Sequence, residues 1–345
     1  MKANEINNSL PFAGAPEGAR PAVDVDMDLA HKPAHTMNSW FAVGHLESRG
    51  ARFSYLVHLL AIGINGFTVA LDSAVSVTCE DTGAYRVQTN LYSMIRSKAS
   101  RSRFEVRAPI AFMGGTLDNL IVKADTEDIR IDLNMKAHGH PLFNRGTGRF
   151  DMLGMDVFQY SIPDLGTTGS IRIDGMDHPV SGVSWFDRQW QDQPLGPPRG
   201  RWTWMDLNLS NGWFVSLWDV VDEDGRTDSW VTVVDGRGRH IVTDLVPLAE
   251  SSFDFWQSPR SGCKFPTRWL VRAPALGLEL EVTAEPKGQE IVGVLHARYE
   301  GVCHIRGMVG GESVGGRCYV EMVGDWKSNR AERMRLVLSR LARLG

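Results

Sequence analysis

The segment Ser184-Trp185-Phe186-Asp187-Arg188-Gln189-Trp190 sets an acid and a base among aromatic rings. Read as a strand, it alternates: Trp185, Asp187 and Gln189 share one face, and Phe186, Arg188 and Trp190 share the other. An Asp enclosed by aromatics on an inward face loses hydration, which raises its pKa and leaves it protonated near neutrality. That is the state needed to donate a proton to a poorly basic alkene or carbonyl. The competing role is structural, a buried Asp bonded to backbone amides or to an Arg. Asp187, Arg188 and His45 are the candidate catalytic residues. Strand alternation lets at most one of Asp187 and Arg188 reach a given cavity unless a bulge intervenes.

Downstream, Trp202, Trp204, Asp206 and Asn208 recur at period two and would share one face. Six of the chain's 11 tryptophans fall between Trp185 and Trp218. Tryptophan faces attract cations and suit a pocket that stabilises a carbocation. The same rings also fill barrel cores and close barrel ends, and counting does not separate the two roles. The candidate substrate-binding residues are Trp40, Asn38, Trp185, Trp190, Trp204, Asp206, Tyr299, Glu300 and Glu321. His45 serves as a base, a proton relay or a hydrogen-bonded core residue. Glu300 and Glu321 are inward acids or rim salt-bridge partners. His138 and His140 would share a strand face, but no third ligand lies nearby in sequence, so no metal site is expected. There is no GxSxG elbow, Walker loop or helix-opening GxGxxG. Serine-hydrolase chemistry and nucleotide cofactors lack support, and no cofactor is expected.

The elements that would position these residues are strands. From Ser39 onward, short aromatic and β-branched runs alternate with Gly, Asp and Asn, as in Phe67 to Leu71, Val75 to Thr78, Ile129 to Leu133, Ser170 to Ile173 and Trp230 to Val234. Turn signals at Asp81, Asp174, Asn211, Asp224 and Asp235 suit tight hairpins. The pattern predicts an all-β protein: two lipocalin-like antiparallel β-barrel domains with a C-terminal helix. The Pro-rich segment Gln191 to Arg201 is the best internal boundary. The expected layout is a flexible leader over 1–35, a first barrel over 36–197, a second over 198–327 and an amphipathic helix over 328–345. In that tail Met334, Val337, Leu338, Leu341 and Leu344 fall at helical spacing, with Arg330, Arg333, Arg340 and Arg343 largely on other faces. Such a helix would dock on a barrel, form a homodimer with a second subunit, or lie on a membrane surface.

Composition bounds the partners. The 345 residues carry a formal net charge of -4, so no global field recruits nucleic acid. The longest apolar stretch, Tyr55 to Ile64, is interrupted by His58 and Gly63 and is far short of the ~20 residues of a spanning helix. The first residues lack a signal-peptide h-region, and a cytoplasmic protein is expected. Cys79, Cys263, Cys303 and Cys318 form no CxxC pair. Cys303 and Cys318 flank a Gly-rich turn and would face each other across a hairpin, with free buried thiols favoured over a disulfide.

Taken in order, these motifs resemble the lipocalin-like family of carotenoid 1,2-hydratases (hydroxyneurosporene synthases), predicted secreted hydrolases and, distantly, fungal decalin-forming Diels–Alderases. The family's opening E-W-W-Y-Y-T-G-H-L is similar to Asn38-Ser39-Trp40-Phe41-Ala42-Val43-Gly44-His45-Leu46. Its central G-x-x-W-M-D-H-E-W is similar to Gly182 through Trp190, and its W-D-W-x-x-L-Q-L-x-D-G to Trp202 through Gly212. Its closing motifs are similar to Tyr299-Glu300-Gly301 and to Cys318 through Gly324. Departures are local. Asn38 and Ser39 replace the opening acid and a Trp. Arg188 and Gln189 replace the central His and acid. Phe158-Gln159-Tyr160 stands where the carotenoid hydratases have H-x-W.

The resemblance implies a hydrophobic small-molecule ligand in an interdomain cavity. The leading expectation is a cofactor-independent cyclase, isomerase or hydratase for a polyene, terpenoid or polyketide, with Asp187 as general acid or hydrogen-bond donor. Confinement of a flexible chain alone is worth ~7–11 kcal/mol at best. The alternative is a non-catalytic lipocalin-like carrier, since such barrels enclose one ligand. A partner-binding protein with a filled interior is the third reading, marked by an exposed apolar patch.

Overall fold

The computed structural model describes residues 20–193, 200–293, 297–324 and 326. It consists of two curled antiparallel half-barrel sheets. The first sheet runs from Met37–Ser48 through Met176–Gln191, and the second from Gly200–Leu209 through Glu312–Gly324. The only helical pieces among the described residues are short 3-10 turns, and no described helix is long and apolar enough to cross a membrane. The span 328–345, with the expected C-terminal helix and its dimer surface, lies outside the described residues.

The hairpin chemistry explains the meander. Ser48 pairs with Ala51, Ile64 with Phe67, and Ile173 with Met176, so each loop has two residues. Those loops are Arg49-Gly50, Asn65-Gly66 and Asp174-Gly175, all at positive φ. This is the tight turn whose twist matches that of the strands. The long strand Met155–Ile173 tolerates Pro163 because its register shifts between Ile162 and Leu165.

Period-two alternation divides each sheet into two buried faces. The inner face of the first sheet holds Trp40, Tyr55, Val75, Leu133 and Phe186. That of the second holds Met205, Trp269, Leu280, Tyr299 and Val320. The remaining faces pack on each other. Phe41, Val43, Leu56 and Trp185 of the first sheet meet Trp204, Trp218, Trp230 and Tyr319 of the second.

Part of the expected leader is packed. Val23, Val25 and Leu29 are buried in the first core. Tyr160 Oη donates to Val25 O at 2.9 Å, and Trp40 Nε1 to Leu29 O at 2.8 Å. The segment lacks periodicity because side chains of other strands, not its own ladder, satisfy its backbone. All four cysteines are free thiols, and Cys303 stands opposite Cys318 on adjacent strands.

Candidate active site

The layer between the sheets is apolar at its margins and acidic at its centre. On the second sheet, Glu300, Glu321, Trp204, Trp218 and Trp230 form one cross-strand row. On the first sheet, Ser161, Asp187, Phe41 and His58 form another, beside the row of Gln159, Gln189 and Ser39. Directly opposed side chains of neighbouring strands touch, so registry alone assembles residues far apart in sequence. Between the rows lies a cavity of about 30 Å³. Ser39, Phe41, His58, Gln159, Asp187, Gln189, Trp204, Trp218 and Glu321 line it.

Asp187 is held from both sides. Trp185 Nε1 donates to Oδ1 at 2.6 Å, and Gln159 Nε2 donates to Oδ2 at 2.7 Å. Burial pushes the carboxyl up to about 7, while Ser161, Trp185 and Gln159 around it pull the other way. Each oxygen keeps a second lone pair, so a proton on the group can still point into the cavity.

Four more acids surround this centre. Glu321 accepts from Trp202 Nε1 at 2.8 Å. Its carboxyl is raised by burial and by the charge of Asp187, against the pull of Trp202 and Arg298. Glu300 is paired with Arg298 and is still pushed up to about 7, chiefly by burial. Asp72 is raised by burial, and its Oδ1 has no hydrogen-bond partner. Asp206, fully buried, accepts from Tyr319 N–H and is raised well above the ordinary range by burial. Close carboxylates cannot all ionise in a poorly hydrated space. Arg298, the cation that touches this group through Glu300, cannot neutralise every member, so some of these acids hold protons near neutrality.

His58 completes the wall. Its Nε2 lies 2.8 Å from Ser39 Oγ, and its Nδ1 lies 3.5 Å from Arg298 Nη2. The Phe41 ring meets His58 and Trp204 edge-on, with centroids 5.3 and 5.5 Å apart.

The structure brings Asp187, Trp204 and Glu321 to this cavity. Trp185 stands behind Asp187, while Glu300 and Asp206 lie beside the lining. Other expected site residues lie elsewhere, and alternation is the reason. Arg188 points to the opposite face, between Trp40 and Trp190, whose rings lie 4.4 and 4.9 Å from its guanidinium. There it donates to Asp28 O, Ala30 O and Asn38 Oδ1 at 2.8–2.9 Å. Asn38, Trp40, Trp190 and Arg188 therefore anchor residues 28–38 instead of lining the cavity. Tyr299 faces the second core and donates to Lys287 O at 2.8 Å. His45 shares the face of Phe41 but sits further along the strand. It lies 3.2 Å from Ser54 Oγ and against Tyr319, and burial holds its imidazole well below the usual range. His138 packs on Gly166 and His140 on Gly238. No group of three or more potential metal ligands occurs among the described residues.

His58, Asp72, Gln159 and Arg298 were not singled out by sequence reasoning. Two of them carried a signal. His58 breaks the apolar run Tyr55 to Ile64, and Gln159 occupies the H-x-W position. Arg298 and Asp72 carried none, because only strand registry brings them in.

The pattern of the AttH-like family matches residues 18–325, nearly the whole described chain. This chain belongs to the AttH-like family. Kievitone hydratase from Fusarium solani subsp. phaseoli is 26% identical over 226 residues, 62% of this chain and 63% of that relative. The aligned region thus spans less than two thirds of the relative's length. The solved kievitone hydratase from Nectria haematococca superposes with a TM-score of 0.77 at 19% identity, over 93% of this chain and 98% of that one. An AttH-type structure from Nitrosomonas europaea gives 0.77 at 17% identity, over 91% and 99%. CghA bound to Sch210972 gives 0.57 at 12% identity, over 94% and 98%. At these identities the structures show a shared fold. The resemblance read from the motifs of this AttH-like chain therefore holds at family level.

Proposed function

We propose that this AttH-like protein is a hydratase- or cyclase-type enzyme that uses Asp187 as a general acid on a hydrophobic, unsaturated small molecule. The observation that carries the reading is a buried carboxyl, raised to about 7, on the wall of an aromatic-lined cavity between the sheets. Asp187 gives its proton to one carbon of a C=C bond, and the π electrons form the new C–H bond. The other carbon becomes cationic beside the faces of Trp204 and Trp218, which favour positive charge. Capture by water forms the C–O bond, and loss of one water proton to a carboxylate of the site yields an alcohol. Capture by a second C=C of the same chain closes a ring and moves the positive charge along the chain, which then returns one proton to the Asp187 carboxylate to give a neutral isomer. No electrons are gained or lost overall, so neither route needs an oxidant or reductant. The name of kievitone hydratase supports the first route.

A cavity of about 30 Å³ admits one or two water-sized groups. A polyene, terpenoid or polyketide is far larger than this volume, so at most its reacting C=C bond would occupy it. The carrier reading explains the centre less well. Burying acids without matching cations costs stability, and an apolar ligand does not require them.

The test is incubation with kievitone and a panel of unsaturated terpenoids and polyketides in water enriched in ¹⁸O. An alcohol carrying ¹⁸O, or a ring-closed isomer without it, is expected from the wild type and not from Asp187→Asn. Equal conversion by both proteins would overturn the reading.

A further inference from the structure

We propose that Asp187 and Glu321, reaching one cavity from opposite sheets, form an acid–base pair in which Glu321 removes the proton of the attacking water; this rests on the hydration route above. Asp187 stands on Met176–Gln191 of the first sheet, and Glu321 on Glu312–Gly324 of the second. Both side chains line the same cavity, which has room for one or two waters. Trp202 Nε1 fixes Glu321 through Oε1, and the residue keeps accessible surface within the layer. Its carboxylate is thus held in place without being consumed by a salt bridge. Glu300 differs, because Arg298 occupies it. His58 differs too, because Ser39 and Arg298 face its two ring nitrogens.

Arg298 and the neutral donors set the environment of the pair. The groups around the pair are Arg298 and Glu300 on the second sheet, Asp72 and His58 on the first, and Asp206 buried near both. Glu321 is raised by burial and by the charge of Asp187, while Trp202 Nε1 and Arg298 favour its anionic form. Asp187 receives only neutral donors, from Trp185 and Gln159. In the proposed pair the proton is assigned to Asp187 and the negative charge to Glu321, the form that Trp202 and Arg298 favour. In the reaction, the Asp187 O–H bond breaks as the C–H bond forms. The water oxygen forms the C–O bond, and its proton passes to Glu321. Atoms and charge balance as one water added across C=C. Asp187 ends ionised and Glu321 protonated, and transfer of one proton between them resets the site.

The test needs no substrate. Carboxyl ¹³C NMR on protein labelled at Asp and Glu follows the titration of wild type, Asp187→Asn and Glu321→Gln, all near-isosteric changes. Circular dichroism checks that each variant folds. Asp187 should titrate above Glu321 in the wild type. Glu321→Gln should lower the Asp187 midpoint, and Asp187→Asn that of Glu321, by about one pH unit, as expected for close like charges. Midpoints that do not respond to each other, or Glu321 titrating above Asp187, would overturn the pair. The pair's failure is separable from that of the function. Unresponsive midpoints with ¹⁸O incorporation lost in Asp187→Asn would remove Glu321 alone. Conversion of the kievitone panel retained in Asp187→Asn would remove the general acid itself.

Discussion

Trp185 Nε1 donates to Asp187 Oδ1 at 2.6 Å, although the two residues stand only two apart on one strand face. The indole is thereby both wall and tuning group. A hydrogen bond to the charged form of an acid lowers its pKa. Trp185→Phe keeps most of the apolar bulk and removes the donor. The Asp187 midpoint should then rise above that of the wild type, which carboxyl ¹³C NMR reads directly.

The contribution of Asp187 to the pH dependence of stability has a defined sign. Asp187 titrates near 7 in the folded chain, against about 3.9 for an unfolded Asp. Between these values the folded state binds the extra proton, so stability falls as pH rises through that window. Glu300, Glu321, Asp72 and Asp206, also raised, push in the same direction. His31, His45 and His240, whose imidazole pKa values are lowered by burial, act in the opposite direction, so between pH 5 and pH 8 the wild type should lose stability relative to Asp187→Asn in denaturant unfolding. The same pH dependence in both proteins would contradict the assigned burial of Asp187.

Arg188 is placed as an anchor rather than a catalyst. Its bonds to Asp28 O, Ala30 O and Asn38 Oδ1 tie the first described residues to the core. Arg188→Met leaves those acceptors without their donor, at a cost on the order of 3 kcal/mol. Hydrogen exchange should accelerate across residues 22–31 while the Asp187 midpoint stays near its wild-type value.

The two sheets are also joined away from the cavity. Glu80 of the first sheet accepts from Ser54 Oγ at 2.5 Å and pairs with Arg317 of the second. Removing one partner of a buried pair strands the other charge. Glu80→Gln should destabilise by about 3 kcal/mol in denaturant unfolding. The surface pair Lys123–Asp132, both half exposed, should contribute little by the same measurement.

Much of the architecture was legible because its causes are local. Two-residue turns such as Asp174-Gly175 and alternating runs such as Trp230 to Val234 announce hairpins before any tertiary contact is known. Alternation also separated Asp187 from Arg188 correctly. What it did not supply was which face of the opening strand meets which neighbour. Trp40 and Asn38 were therefore expected in the cavity, where Phe41 and Ser39 stand instead. Arg298 and Asp72 enter through strand registry and the packing of one sheet on the other, which no window of the chain displays. The packing of Val23, Val25 and Leu29 was hidden for a related reason, since donors from Trp40, Tyr160 and Arg188 hold that segment.

The central claim is that Asp187 supplies a proton in the transition state. The most direct measurement compares turnover and ligand affinity of wild type and Asp187→Asn on one substrate drawn from the kievitone panel. General-acid catalysis predicts a loss of about 10²–10⁴-fold in turnover with affinity changed only a few-fold, the pattern of an interaction made chiefly in the transition state. Wild-type turnover in a folded Asp187→Asn protein would contradict the account.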